Sequence, residues 1–217
     1  MADKRPNRPV HLPGEDEMNN QQKRISSIII DPPNSCIMES GSMFDVLYQE
    51  LAHIEQRIKA SPKDQRLRRI YIRALFAMVE SCIFRMKQDA MVIKKDFSPE
   101  EILLLKETRA VLDDSGRVKK TNDHIRTLPN LRFAFEAYTK ALGIHFRLNV
   151  ADHRWDAFKN ALKIGHSLTH PKHFLDLVIT DPDWQIVIDA GVWFLSQLNE
   201  MKKEIDSKFG VRGKGSS

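Results

Sequence analysis

Glycine is scarce in this chain, with nine among 217 residues, and tyrosine scarcer still, with three. Runs of β-branched residues are few as well, which excludes a protein built from many short strands. Cysteine is limited to Cys36, which follows the polar DPPNS, and Cys82, inside an apolar helical pattern. Two free thiols in a reducing cytoplasm are expected, not a disulfide framework. The start, MADKRPNRP, lacks the apolar core of a signal peptide, and no hydrophobic run approaches membrane-spanning length. A cytoplasmic protein without membrane attachment is the expectation. Also missing are a glycine-rich phosphate loop, a nucleophile elbow, Walker and kinase patterns, and internal repeats.

What is present is a balance of 41% hydrophobic and 29% charged residues, enough for one domain with a core and a solvated surface. The net charge of +5 is compatible with a polyanion such as RNA without requiring one. Residues 1–40 read as a flexible arm rich in Pro, Asn, Gln and charge, in which RISSIII is able to dock as a short extended piece. Residues 209–217 read as a flexible basic tail, and 41–208 as an antiparallel bundle of five to six helices.

The helices announce themselves by spacing. Phe44, Leu47, Leu51, Ile54 and Ile58 form one apolar stripe. A second helix opens at SPKD, with Ser61 as its cap, and runs nearly apolar all round through AMVESCIF, which marks a central, buried element. SPEE carries a capping box, Ser98 with Glu101, ahead of ILLLKETRAVL, read as helix. DDSGRVKKTNDHIRTLP is a polar connector turning at Ser115–Gly116. NLRFAFEAYTKALGIHF is a helix burying Phe133, Ala137, Ala141 and Ile144; the last runs from TDPDW to about Ser207, with Ile186, Ala190, Trp193, Phe194 and Leu198 inward.

The fifth helix, Asp152 to His170, is the informative one. At about 100° per residue, Trp155, Phe158, Ala161, Leu162, Gly165, Leu168 and Thr169 share the core arc. Lys163, His166 and His170 stack on the opposite arc, and Pro171 ends the helix beside His170. The C-terminal dipole favours a protonated imidazole there, and Lys163 opposes it. A histidine beside a cation suits proton transfer near a phosphate; equally, it suits a solvated helix end. His166 and His170 have metal-gripping i, i+4 spacing, but HSLTH lacks the glutamate of HExxH, so no metal and no cofactor are expected.

Helix five with LTHPK resembles the HEPN superfamily of helical-bundle proteins, as do RRIYIRALFAMVESCIF, LRFAFEAYTKALG and DPDWQIVIDAGVWF, so that the resemblance spans most of residues 45–200. It implies a homodimer, a composite cleft, and metal-independent RNA cleavage by an arginine–polar–spacer–histidine motif, in which the ribose 2′-hydroxyl attacks the adjacent phosphate. His170 matches the motif histidine, but Gly165 occupies the arginine position and His166 the polar one. Lys163 and His166 do not reproduce a bidentate guanidinium. The expectation is therefore a degenerate, non-catalytic or weakly active RNA-directed or regulatory module, in a defence or toxin–antitoxin setting with an antitoxin as a further partner. The alternative is an active endoribonuclease using His170, His166 and Lys163.

Gly165 itself has two readings, a close helix approach or a vacated arginine site. Glu80 is either a partner of the motif residues or part of an ion-pair stripe with Arg73 and Lys87. The cluster Lys63, Arg66, Arg68, Arg69 and Arg73 is either solvated or tracks a phosphate backbone. Lys163, Lys172, Arg69 and Arg73 are the candidate nucleic-acid contacts.

Overall fold

A computed structural model describes residues 43–94 and 96–209. The N-terminal arm with RISSIII and Cys36, and the tail beyond Phe209, lie outside the described residues. Those that are described belong to one compact unit, an all-α bundle with a single small sheet. None of its helices is long and apolar enough to cross a membrane.

Helix α1, Met43–Ala60, buries Phe44, Leu51 and Ile58 of its stripe. The next helix, α2 (Gln65–Ile93), begins three residues later than the Ser61 cap implied. Asp64 is the cap: its carboxylate accepts from the N–H groups of Arg66 and Leu67 at 2.8 and 3.2 Å. Ser61 instead closes α1, donating its N–H to the carbonyls of Arg57 and Ile58. Along α2, Ile72, Leu75, Met78, Val79, Cys82 and Met86 are buried, each worth roughly 1.5–3 kcal/mol if fully removed from water. The helix is central but not covered all round, since Ile70, Arg73, Ala77, Glu80 and Phe84 form an exposed stripe. Burial pushes the Cys82 thiol up to about 12.

The chain then departs from the helix read over ILLLKETRAVL. Helix α3, Pro99–Leu105, opens on the capping box, with Ser98 Oγ accepting from Glu101 N–H at 3.2 Å and Ser98 N–H donating to the Glu101 carboxylate at 2.8 Å. It stops after seven residues because Glu107 takes φ 50°, a backbone no α-helix contains. Thr108–Leu112 (β1) and Val118–Asn122 (β2) form an antiparallel hairpin, registered from Thr108 opposite Asn122 to Leu112 opposite Val118. Asp113 ties its turn by accepting from the N–H groups of Ser115 and Arg117, both at 2.9 Å, and Gly116 supplies φ 76°.

The hairpin is moored by a buried cation. Lys87, 1% exposed, donates to Glu107 Oε1 and to Asn130 Oδ1, both at 2.9 Å, and Asn130 Nδ2 donates to the same carboxylate oxygen at 3.0 Å. The Glu107 carbonyl also accepts from Asp123 N–H at 2.7 Å, closing the base of the hairpin. Burial pushes the Glu107 carboxyl up, but hydrogen bonds from Asn130 and Lys87 outweigh it and hold the group below the usual carboxylate range. Burial pulls the Lys87 ammonium below its ordinary value.

Helix α4, Thr127–Leu142, buries Leu131, Ala134, Phe135, Ala137 and Tyr138, so its inner face is rotated from the one expected: Phe133 and Ala141 are only half-buried. Helices α5 (His153–Thr169) and α6 (Asp181–Phe209) complete the bundle. Phe158 packs against Trp193 and Phe194, at centroid distances of 4.9 and 6.3 Å, while Trp155 lies 4.9 Å from Trp193. Ile186 is half-buried; Ala190, Trp193, Phe194 and Leu198 are inside as expected. Phe76 of α2 meets Phe158, whereas Arg73, a turn earlier, reaches Leu168; the two helices are therefore antiparallel. Tyr71 meets Trp184 and Leu75 meets Gly191, so α6 runs with α2 and against α5.

Removing the Glu107 carboxylate leaves the buried ammonium with no counter-charge and only the Asn130 amide oxygen as acceptor, whereas removing the ammonium leaves a carboxylate that still reaches solvent. Glu107→Ala is expected to cost about 1–3 kcal/mol, and more than Lys87→Met, in urea melts. Because Glu107 has a lowered folded-state pKa, its contribution is full above the ordinary value of 4.5 and disappears as pH falls through the lower folded-state value. Glu107→Gln flattens that acid limb in thermal melts taken across pH.

Candidate functional site

The candidate site is where α5 ends. Asp152 caps the helix start by accepting from Arg154 N–H at 2.8 Å. At the other end His170 leaves the helix at φ −126°, ψ 60°, its N–H donating to the His166 carbonyl at 3.0 Å. His166 and His170 are both exposed, with ring centroids 5.0 Å apart and planes at 58°. Lys163 shares the exposed face but donates its ammonium to Asn160 Oδ1 at 3.1 Å, one turn toward the helix start. Thr169, assigned to the core arc, is exposed, and its hydroxyl donates to the Gly165 carbonyl at 3.0 Å.

Beyond Pro171 the chain is fastened by one carboxylate. Asp176 Oδ2 accepts from the N–H groups of Lys172 and His173 at 2.7 and 2.9 Å, and these bonds hold its carboxyl below the usual range. Lys172 is exposed, as are Phe174 and Leu175, at 79% and 76%, within the short 3-10 turn Phe174–Leu177.

Three arginines of α2 hold this segment. Arg68 donates to the carbonyls of Pro62 and Ile179, both at 2.9 Å, and to Asp181 Oδ1 at 2.6 Å. Arg69 donates to the Leu177 carbonyl at 2.9 Å, and Arg73 to the Leu168 carbonyl at 3.1 Å. The basic cluster is thus divided: Arg68 is buried, Arg69 and Arg73 each commit a nitrogen to a carbonyl, and Lys63 and Arg66 remain exposed. Arg73 puts a guanidinium at the C-terminal end of α5, two residues before His170, from a neighbouring helix. Arg73 and Lys87 turn to Leu168 and Glu107, so no ion-pair stripe forms around the exposed Glu80.

Of the two readings of Gly165, the close approach is the one the structure has. A Cβ at this position would lie 2.7 and 2.9 Å from ring carbons of Phe76, nearer than side chains tolerate. Phe76 fills the space beside the helix, its ring edge-on to Phe158 at 6.1 Å. Among the described residues, no group of three or more His, Cys, Asp or Glu side chains converges as a metal site requires.

Two features were missed from sequence. One is the hairpin, whose cations are Arg109, Arg117, Lys119 and Lys120. The other is a cleft of about 560 Å³ between α4 and residues 144–150, lined in part by Arg132, Lys140, His145 and Arg147. Two of its cations are engaged internally, Lys140 with Glu101 at 2.5 Å and Arg132 over the Trp155 ring at 5.7 Å. In comparisons with known proteins, no family model, curated protein or solved structure matches the chain.

Replacing Gly165 by alanine should add about 1 kcal/mol of helix propensity but overpack the Phe76 contact by about 1–3 kcal/mol. Gly165→Ala is therefore expected to lower stability by roughly 1 kcal/mol in the native background, and to raise it in a Phe76→Ala background. Paired denaturant melts of the four variants measure the reversal.

Proposed function

We propose that this chain is a HEPN-like, RNA-directed module with a degenerate cleavage site, acting in a regulatory, toxin–antitoxin or defence setting. The observation that carries the reading is the exposed face of α5, where His166 and His170 lie with ring centroids 5.0 Å apart while residue 165 is a glycine packed on Phe76. In cleavage of this kind the 2′-oxygen bonds to phosphorus and the bond from phosphorus to the 5′-oxygen breaks. One group takes the 2′-hydroxyl proton and another gives a proton to the leaving oxygen. A guanidinium directed at the phosphate normally stabilises the charge that builds up between these events. Loss of one such donor costs about a hundredfold in rate or more, and Arg73 reaches α5 already bonded to the Leu168 carbonyl. Binding, regulation or slow cleavage follows from that balance.

The second reading, an active metal-independent endoribonuclease, is favoured by the same pair of imidazoles, because two neighbouring histidines are able to divide the acid and base roles. Incubating full-length protein and His170→Ala with mixed RNA separates the readings. Equal sparing of RNA by both removes the enzyme and leaves the module; loss of cleavage in His170→Ala establishes the enzyme.

A second copy of the chain is the proposed partner. Phe174 and Leu175 protrude beside the histidine face, and a two-fold contact over them brings two such faces together. Light scattering is expected to give a dimer for the native chain and a monomer for Phe174→Ser/Leu175→Ser.

A further inference from the structure

The β1–β2 ribbon has features the bundle does not need. Its base is locked by Lys87, Asn130 and the Glu107–Asp123 bond, while beyond the base it packs chiefly on α3. Arg109, Arg117, Lys119 and Lys120 are exposed along it and, among the described residues, enter no ion pair. The register sets Arg109 opposite Thr121, Lys119 opposite Val111 and Lys120 opposite Ala110, so no cation faces an acid across the strands. The segment holds two acids, Asp113, held in the turn by Ser115 and Arg117, and Asp114, against its four cations, which leaves it net positive.

Three physical properties narrow the partner. The ribbon is the only sheet among the described residues, so the outward N–H groups of both strands have no neighbouring strand and are able to donate to oxygen anions. Free cations on both faces of a ribbon about 17 Å long, Arg109 and Lys119 on one and Lys120 on the other, with Arg117 at the turn, match a linear polyanion better than a compact anion. Residues 108–122 contain no Phe, Tyr or Trp, which leaves no platform for stacking bases. Those properties favour contact with phosphates and sugars and carry no sequence readout. Leu112 and Val118, paired at the tip and 70% and 73% exposed, offer an apolar surface to the sugar rings.

We propose that the ribbon is a docking arm that grips the phosphodiester backbone of RNA without reading its bases. Identification of the strand as RNA rests on the function proposed above; the arm itself rests on the ribbon's own geometry. Lys87 at the mooring and Arg73 at the histidine end are separated by about 20 Å along α2, so a bound strand extends over several nucleotides between the arm and His170.

The test is fluorescence anisotropy of a labelled 20-nucleotide RNA with full-length protein, titrated at several salt concentrations, with circular dichroism to verify the fold of each variant. Lys119→Glu/Lys120→Glu and Arg109→Glu/Arg117→Glu are each expected to weaken binding about tenfold or more. Each should also reduce the slope of log K against log salt by about 1–2, equally for a homopolymer and a mixed sequence. If these variants bind as the native chain does while Lys163→Ala/His166→Ala/His170→Ala loses affinity, the arm is overturned and the RNA reading stands. If native protein binds no RNA at low salt, both fall. Preference for a 20-base-pair DNA duplex, abolished by the same lysine reversals, keeps the arm but overturns RNA as its ligand.

Discussion

The anchoring of α5 to α2 by arginine is the constraint on which the candidate site depends. Arg68 and Arg69, side by side in the first turns of the central helix, and Arg73, one turn further, donate to the carbonyls of Ile179, Leu177 and Leu168. A helix C-terminus presents unpaired carbonyls, and a loop presents more; guanidinium groups satisfy both while neutralising the partial negative charge of the helix end. Hydrogen bonds to a charged group are worth about 1.5–3 kcal/mol where they are shielded from water. The buried Arg68 is the strongest of the three on that basis. The segment from Leu168 to Asp181 is consequently held from beneath, and His166, His170 and Lys172 are left on its outer side.

That arrangement redistributes the positive charge. The run of arginines in RLRRIYIR looks like a phosphate-binding surface, yet its members are partly committed to the protein's own oxygens. Lysines at 163 and 172 and the cations of the hairpin stay exposed at the surface. Gly165 belongs to the same logic: with Phe76 lying against its Cα, α5 sits close enough to α2 for the Arg73 guanidinium to reach the last turn.

Sequence periodicity made most of the bundle legible. The bounds of α1 follow directly from its apolar stripe, and Ser98 with Glu101 marks the start of α3. Trp155, Phe158, Ala161 and Leu168 lie inside, and Lys163, His166 and His170 outside, as the 100° wheel implies. Non-local partners were not legible. ILLLK reads as helix by propensity, and only Lys87 and Asn130, 20 and 23 residues from Glu107, moor the backbone where that helix ends. The β-branched residues around DDSGR carried a hairpin signal, which the preceding apolar run obscured. The α2 cap was misplaced because two capping residues, Ser61 and Asp64, lie within four positions, and only coordinates reveal which carboxylate or hydroxyl faces the free N–H groups. The inner face of α4 depends on Asn130 turning inward toward Lys87, which no apolar count anticipates.

The closed base of the hairpin also gives the chain a detachable part. Glu107 and Asp123 are already joined by a main-chain bond, so the residues between them form a loop whose ends meet whatever its contents. Lengthening or shortening such a loop changes closure entropy only logarithmically, by about 0.6 kcal/mol per doubling. Changes of length at the tip of that excursion, beyond the strand residues that lie against α3, therefore cost the helical frame little.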